Sequence, residues 1–320
     1  MAAARAVLRQ VFGQYPMWIL FGLMYICAGG LMPDLLTAVN FQNTVVQGTV
    51  IGILSIGMTF VMLIGEIDLS IVSVAAFAPL MGVLSIQILG LPVLAALVLT
   101  VVVGAGVGLF NGLIIEKVRI PSLVQTLATW WILSGVVLVV TEGATKGGFP
   151  PEWNWLGSAY IGPIRVVLIF FVIFVIVVWY FSKNTKTGLR LYITGGNENS
   201  ARAAGIPTSR IRILAFVLSG VIAAVAGYTL SARLAAISSR FGTEWLMPAI
   251  AAPVISGVSL TGGRGNIINV VAGAYIIQLI VQVIRMAGIG GYYSELTQGL
   301  LVFVAILIDT LRRRMMGIQE

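Results

Sequence analysis

The chain has no histidine and only one cysteine, Cys27, in its 320 residues. Without histidine it cannot build a Ser-His-Asp triad, an imidazole proton relay or an ordinary zinc site. A single cysteine excludes an internal disulfide and gives no basis for a thiolate metal site. These absences predict a protein that is not an enzyme and that holds no metal ion and no cofactor.

Charged residues are also scarce. They make up 9% of the chain, and 59% of the residues are hydrophobic, whereas soluble domains are ~25% charged. The mean hydropathy is +1.03. Apolar runs of about 20 residues recur along the chain, and each is long enough to cross ~30 Å of hydrocarbon. Most of these runs have no polar face. The composition therefore predicts an all-α polytopic membrane protein, with residues 1–320 forming a single transmembrane domain.

We predict about ten transmembrane helices. The third and eighth are the weakest candidates, because they contain Pro79 and Pro253. The N-terminal MAAARAVLRQVFGQYP has no signal-peptide cleavage site, so it is expected to begin the mature protein. The apolar segments lie at residues 17–33, 43–64, 70–89, 91–115, 121–140, 165–181, 213–231, 246–260, 267–286 and 296–311.

The distribution of positive charge predicts the orientation. With an even number of spans and the N-terminus inside, 14 of the 19 Lys and Arg residues fall on the inner side. Positive charge is enriched in cytoplasmic loops, so both termini are predicted to be cytoplasmic. The net charge of +8 is then a consequence of topology, and we expect membrane lipid but no nucleic acid among the partners. The five Lys and Arg residues that fall on the outer side are Lys146, Arg165, Arg233, Arg240 and Arg285.

A polar segment at residues 182–212 interrupts the apolar pattern. It contains six Lys or Arg residues and one acid, Glu198. Asn197 is a good helix N-cap, Glu198 suits the positive end of a helix dipole, Gly205 can adopt the left-handed C-terminal conformation, and Pro207 prevents continuation. A helix of two turns is unstable alone in water. We therefore predict a short rigid helix that a cytoplasmic partner grips.

Three glycines of the fourth span, Gly104, Gly108 and Gly112, form two successive GxxxG steps. Small residues spaced by four allow helix backbones to approach closely in lipid. We therefore predict a tightly packed helix face at these positions.

Two acids, Glu66 and Asp68, lie between the second and third apolar segments. In one interpretation they are structural, with Asp68 or Ser70 capping the third helix and Glu66 in its first turn or just before it. In the other they belong to a translocation path or a gate, because acids at membrane depth are costly and tend to be functional.

The ninth span has the most polar face. Gln278, Gln282 and Arg285 are spaced i, i+4 and i+7 and share one side of the helix, with Asn266 and Asn269 near its start. They could form interhelical hydrogen bonds, worth ~0.6–2 kcal/mol each. They could equally line a water-filled path for a neutral, hydroxylated solute.

A glycine-rich segment, SGVSLTGGRGN at residues 256–266, does not match a phosphate-binding loop. That loop requires GxxxxGK followed by Ser or Thr after a strand, and the chain has no such match. We predict a tight turn here, and we expect ATP hydrolysis to require a separate subunit.

Four blocks of the sequence resemble one family in the same order. They are residues 57–76, GMTFVMLIGEIDLSIVSVAA; residues 111–143, beginning NGLIIEKVRIPSL; residues 195–206, GGNENSARAAGI; and residues 247–276, beginning MPAIAAPVISGVSLTGGRGN. The chain is similar to the permease subunits of ATP-binding-cassette (ABC) importers for simple sugars, the branched-chain-amino-acid/ribose-type permeases. The resemblance implies the ABC importer permease fold in a bacterial inner membrane.

The same resemblance implies partners and site residues. The partners are a second permease subunit, identical or related, two cytoplasmic ABC ATPase subunits and a periplasmic sugar-binding protein. The short helix of residues 182–212 corresponds to the family's coupling helix, which docks on the ATPase. Its assigned residues are Asn197, Glu198, Ala201, Arg202 and Gly205.

The substrate implied by the resemblance is a simple sugar or a sugar-like solute. GGFP at 147–150 and LMPAI at 246–250 look somewhat like the branch that serves rhamnose or autoinducer-2. Glu66 stands where the family usually has glycine. We assign to the translocation path Glu66, Asp68, Asn111, Gln278 and Gln282.

The alternative function is a secondary transporter or channel for a small polar solute. Such a protein would use charged residues in the middle of its spans as ion or proton sites. The middles of these spans are nearly free of charge, which favours the importer permease.

Overall fold

The computed structural model describes residues 15–238, 241 and 243–288, together with the separate residues 293, 296, 299, 300, 303 and 307. Most of the described chain is helical. The helices are α1 (Pro16–Leu31), α2 (Ala38–Met62), α3 (Ile71–Leu89), α4 (Val93–Val118), α5 (Ser122–Thr141), α6 (Pro151–Ser158), α7 (Val166–Asn184), α8 (Lys186–Gly196), α9 (Glu198–Ala203), α10 (Thr208–Leu234), α11 (Leu246–Ile255) and α12 (Ile267–Met286).

The other regular elements are short. Two 3-10 helices lie at Pro33–Leu36 and Thr243–Trp245. A two-residue hairpin pairs β1 (Tyr160–Ile161) antiparallel with β2 (Ile164–Arg165). The hairpin and α6 lie in the connection between α5 and α7.

Seven of the described helices are long and apolar enough to cross a membrane: α2, α3, α4, α5, α7, α10 and α12. They coincide with the second to seventh and the ninth predicted segments. The third is helical from Ile71 to Leu89 with Pro79 inside it, so the proline does not break the span. The tenth predicted segment, 296–311, lies mainly outside the described residues.

The eighth predicted segment, 246–260, is shorter than expected. Helix α11 ends at Ile255 and has ten residues, a rise of about 15 Å. The chain then turns at Gly257, whose φ is +84°, and the N–H of Val258 bonds to the carbonyl of Pro253 at 2.9 Å. Proline near the helix end and a left-handed glycine explain why the apolar run does not continue as helix.

Helix α2 lies at the centre of the bundle. Most of its residues from Thr44 to Met62 are buried, and it packs against α10, α11 and α12. Helices α4, α5 and α7 instead expose large apolar side chains, among them Leu94, Trp131 and Ile176. Such faces suit contact with lipid or with another membrane subunit.

The glycines of α4 form the predicted packed face. Gly104 faces Gly220, Gly108 faces the carbonyl of Phe216, and Gly112 faces Ile213, all on α10. A Cβ at any of the three positions would meet the backbone of α10. Close approach of the two backbones is therefore possible because α4 has glycine there.

The basic segment lies at one end of the bundle, which we call the basic end. The end of α2 is also there, since a Cβ at Gly195 of the basic segment would clash with the carbonyl oxygen of Leu63. Leu63 also accepts a 2.9 Å hydrogen bond from the N–H of Gly263. The segment 256–266 forms the predicted turn between α11 and α12, closed by a 3.0 Å bond from the N–H of Ser259 to the carbonyl of Arg264.

Candidate functional site

The short helix α9 has the caps that the sequence predicts. The side chain of Asn197 accepts a 2.8 Å hydrogen bond from the N–H of Ser200. Gly205 has φ +78°, and its N–H bonds to the carbonyl of Arg202 at 3.0 Å. The N–H of Ile206 bonds to the carbonyl of Ala201, also at 3.0 Å. This pair of bonds is a Schellman motif, which satisfies the last carbonyls of the helix.

A second helix, α8, precedes α9 and was missed by the sequence interpretation. Its N-cap is Thr185, which accepts a 3.0 Å bond from the N–H of Gly188. Gly188, Leu191 and Thr194 are buried on one face of this helix. Thr185, a preferred N-cap residue, is the sequence signal that could have predicted where the helix begins. The basic segment is thus a pair of helices, with α8 packed on the bundle and α9 beyond it.

Arg212, in the first turns of α10, binds three carboxylates. Its Nη1 lies 2.7 Å from Glu116 of α4, its Nη2 lies 2.8 Å from Glu198 of α9, and its Nε lies 3.7 Å from Glu66. We call these four residues the Arg212 cluster. Glu198 is also paired with Arg202 at 2.7 Å, and Glu66 accepts a hydrogen bond from Ser122 of α5.

The environment of Glu198 favours its ionised form. Burial alone would raise the pKa of this carboxyl, but the charge of Arg212 and the hydrogen bond from Arg202 outweigh it, so the pKa lies below its ordinary value. The side chain of Arg212 is 24% exposed. Its ion pairs are therefore less screened by solvent than those of a fully exposed side chain.

The Arg212 cluster lines an open cleft of about 380 Å³. The cleft lies between α9 and the ends of α4 and α5. Its other lining residues are Ile115, Arg119, Ile120, Pro121, Ser122 and Arg202.

Asp68 lies deeper in the bundle and is buried, with 1% of its surface exposed. Its carboxylate accepts hydrogen bonds from the N–H and the hydroxyl of Ser70 and a 2.7 Å bond from the hydroxyl of Ser219 on α10. Burial raises the pKa of this carboxyl, while the bonds from Ser70 and Ser219 oppose the rise.

Asn111 extends this arrangement to α4 and α5. Its amide donates to the hydroxyl of Ser70 at 2.9 Å, and its carbonyl accepts from Thr129 of α5 at 2.6 Å. Asn111 is fully buried. We call Asp68, Ser70, Asn111, Thr129 and Ser219 the Asp68 network. It joins four parts of the chain, because each buried polar group here needs a partner.

The structure shows how Asp68 and Glu66 relate to the start of α3, where the sequence predicted a cap. Ser70 occupies the N-cap position of α3, but it makes no side-chain capping bond. Asp68 instead bonds the N–H of Ser70, one residue outside the helix. Glu66 faces the Arg212 cluster.

The polar face of α12 is separate from the Arg212 cluster and from the Asp68 network. Gln278 is 3% exposed and Gln282 is 8% exposed. The amide of Gln278 donates to Gln47 of α2 at 3.3 Å, and Arg285 donates to the same oxygen at 2.8 Å. These contacts are hydrogen bonds between α12 and α2, as the packing interpretation of this face expects. A role in a translocation path stays a prediction.

The residues assigned to a path therefore fall into three groups. Asp68 and Asn111 are linked, Glu66 belongs to the Arg212 cluster, and Gln278 and Gln282 lie on α12. Sequence reasoning missed Arg212, Ser219 and the polar face of α5. The signals were present: Arg212 and Ser219 are spaced i and i+7, and the α5 residues Ser122, Thr126 and Thr129 are spaced i, i+4 and i+7.

Comparison with known proteins identifies the family to which this chain is similar. A family model described as the permease component of branched-chain amino acid transport systems matches residues 40–307. The ribose import permease of Escherichia coli K12 is 34% identical over 286 residues, covering 87% of this chain and 88% of its own. The ribose import permease of Haemophilus influenzae is 32% identical over 281 residues, covering 87% of each chain.

The autoinducer-2 import system permease of Escherichia coli SMS-3-5 is 33% identical over 294 residues, covering 90% of this chain and 84% of its own. Among solved structures, an ABC transporter of metal-chelate type in an inward-facing conformation matches with a TM-score of 0.54 at 16% identity, covering 93% of this chain and 100% of the other. The structural match shows that the fold is shared.

Proposed function

Since the chain belongs to the family of branched-chain amino acid transport system permease components, we propose that it forms the translocation path for a simple sugar or a sugar-like solute. The named relatives import ribose and autoinducer-2, which are small and rich in oxygen. A permease with buried amides and hydroxyls and few charges suits a neutral, hydroxylated solute.

We propose that ATP hydrolysis takes place in separate cytoplasmic subunits. A periplasmic binding protein would deliver the solute, and a second permease subunit would complete the path. The exposed apolar faces of α4, α5 and α7 leave room for that second subunit as well as for lipid. In this arrangement the basic end is cytoplasmic, as are both termini.

The observation that carries the proposal is α9. A helix of six residues cannot be stable by itself in water, yet this one is capped at both ends and joined to the bundle by ion pairs. Its position suits a rigid element on which an ATPase subunit docks. We assign the coupling element to Asn197, Glu198, Ala201, Arg202 and Gly205. Ala201 is fully buried, so it holds the helix in place and does not itself contact the ATPase.

The proposal is tested by reconstitution. The permease is co-expressed with the ATPase and the binding protein of the same transport system, purified through a tag on the permease alone, and placed in proteoliposomes. We expect the ATPase to co-purify and ribose or autoinducer-2 to enter only with ATP. The control is an ATPase whose nucleotide-binding lysine is replaced, which should abolish uptake.

Two outcomes would contradict the proposal. One is uptake driven by an ion gradient without ATP, which would indicate a secondary transporter. The other is an ATPase that remains separate from the permease during purification although both proteins are folded.

A further inference from the structure

We propose that Arg212 is the positioning residue that fastens α9 to the membrane-spanning helices, so that movement of α9 reaches α4, α10 and the segment before α3 together. This inference rests on the proposed function, because it assumes that an ATPase acts on α9. It assigns a role to a residue outside the coupling helix itself.

The first argument is the geometry of the ion pairs. Each of the three nitrogens of Arg212 faces a different carboxylate: Nη2 faces Glu198, Nη1 faces Glu116 and Nε faces Glu66. The three acids come from α9, from α4 and from the connection between α2 and α3. A planar guanidinium with fixed donor directions sets the relative positions of its partners more tightly than a flexible ammonium.

The second argument is the charge balance around α9. Glu198 is shared between Arg212 at 2.8 Å and Arg202 at 2.7 Å. Arg202 is 65% exposed and lies on the same helix as Glu198, so it cannot connect α9 to the bundle. Arg212 makes that connection, because it belongs to α10 and is mostly covered.

The third argument is that the Asp68 network forms a second layer of polar contacts, deeper in the bundle than the Arg212 cluster. Ser219 lies seven residues after Arg212 on α10, which places it on the same helix face and about 10 Å deeper. It bonds to Asp68, two residues from Glu66. The segment before α3 is therefore held by α10 at two depths.

The helices α4 and α5 also contribute to both layers. Helix α4 supplies Glu116 to the Arg212 cluster and Asn111 to the Asp68 network. Helix α5 supplies Ser122, which donates a hydrogen bond to Glu66 of the cluster, and Thr129, which belongs to the Asp68 network. Two layers joining the same elements resist both sliding and tilting, so these elements should move as one body when Arg212 is displaced.

The test measures the position of α9 and its effect on transport. Cys27 is replaced by Ser, and spin labels are attached to cysteines at Lys117 and Ala203, which are exposed at the end of α4 and on α9. The variants are Arg212→Gln, which removes the charge, and Arg212→Lys, which keeps it. The matched control is Arg210→Gln, because Arg210 is exposed on the same turn and the ion pairs found among the described residues do not include it.

We expect a narrow distance distribution between the labels in the parent and in Arg210→Gln, and a broad one in Arg212→Gln. In proteoliposomes with the ATPase, stimulation of ATP hydrolysis by the loaded binding protein should fall about tenfold in Arg212→Gln, within the usual range of allosteric coupling. Uptake should fall in parallel. Arg212→Lys should recover part of the ATPase stimulation and part of the uptake, because lysine keeps the positive charge but lacks the planar set of donors of the guanidinium.

An unchanged distance distribution together with normal stimulation in Arg212→Gln would overturn the inference. If Arg212→Gln does not fold, Glu116→Gln replaces it, with the same expected broadening and the same overturning result. If the parent shows no ATP-dependent uptake, the proposed function has failed. The label distances then still decide whether Arg212 holds α9 in place.

Discussion

Ser219 donates a 2.7 Å hydrogen bond to the carboxylate of Asp68, 151 positions away in the sequence. Ser219 is fully buried and Asp68 nearly so. Among the described residues, the side chains that donate to this carboxylate are the neutral Ser70 and Ser219. The carboxylate therefore depends on neutral donors, and each of them matters more than a surface hydrogen bond would.

Replacing Ser219 with Ala should lower the stability of the protein. The substitution removes one of the donors to a buried carboxylate, and leaving such a group unsatisfied costs about 1–3 kcal/mol. Thermal unfolding in detergent measures the loss. Ser209→Ala is the control, since Ser209 lies on the same helix and is exposed. Equal melting temperatures for the two variants would show that Ser219 contributes nothing to the burial of Asp68.

Replacing Gly205 with Val should uncouple transport from ATP hydrolysis. Gly205 has φ +78°, and there is open space where a Cβ would lie. The cost is therefore backbone strain, about 1–2 kcal/mol for a left-handed residue that is not glycine. Gly205→Asn is the control, because asparagine tolerates this conformation. We expect low uptake and an unresponsive ATPase in the Val variant and near-normal values in the Asn variant. Normal uptake by both variants would show that α9 does not transmit movement and only connects α8 to α10.

Acidification should loosen α9. The pKa of Glu198 is below its ordinary value of 4.5 in the folded protein. Its ionised form therefore contributes stability above pH 4.5, and this contribution is lost as the pH falls through the folded pKa. Unfolding temperatures of the native protein and of Glu198→Gln, measured from pH 7 downward, should converge below the folded pKa. A gap that is constant with pH would contradict the assignment of the ion pairs to Glu198.

Replacing Gln47 with Leu should destabilise the protein more than replacing Gln278. The oxygen of Gln47 accepts from both Gln278 and Arg285, so Gln278→Leu leaves one bond in place. An interhelical bond in a membrane is worth about 0.6 kcal/mol on average. A double-mutant cycle with thermal unfolding measures the coupling of Gln47 with Gln278.

Uptake by Gln278→Leu and Gln282→Leu tests the other interpretation of this helix face. If these side chains line a path, uptake should fall while the ATPase remains bound. Normal uptake with a lower unfolding temperature would assign them to helix packing alone.

The orientation of the chain can be tested with cysteine reagents in a Cys27→Ser background. Cysteines at Lys186 and Arg202 should react only with reagents that cross the membrane, because the basic end is expected to be cytoplasmic. A cysteine at Thr145, near the opposite end, should react from outside. Thr145 is a better site than the nearby Gly148, whose φ of +75° would strain a cysteine. The reverse pattern would invert the topology.

Much of the fold could be predicted because the signals are local. Hydropathy located the seven long spans, and the caps of α9 follow from Asn197 and Gly205, which act on the backbone within a few residues of themselves. The GxxxG steps predicted a packed face. The same reasoning placed too much helix after Ile255, since an apolar run does not show where a glycine turns the chain.

The polar clusters could not be predicted in this way. The sequence shows that Glu198 is the single acid of a basic segment, and this suggested a contribution of the helix dipole. It does not show that Arg212 reaches Glu116, 96 positions away, or that Glu66 joins them. Those contacts exist because the glycines of α4 let it lie directly against α10, which brings the ends of both helices together.

The sequence by itself determined that this chain crosses the membrane many times and that it carries a capped helix in a basic segment, because both properties depend on neighbouring residues. Tertiary structure alone decided which of its few polar side chains meet. In an apolar bundle, buried carboxylates and amides must find partners, and the available partners depend on which helices are adjacent and how closely they pack. Asp68 is stabilised by Ser219, and Glu198 is fixed by Arg212, because α10 lies next to both.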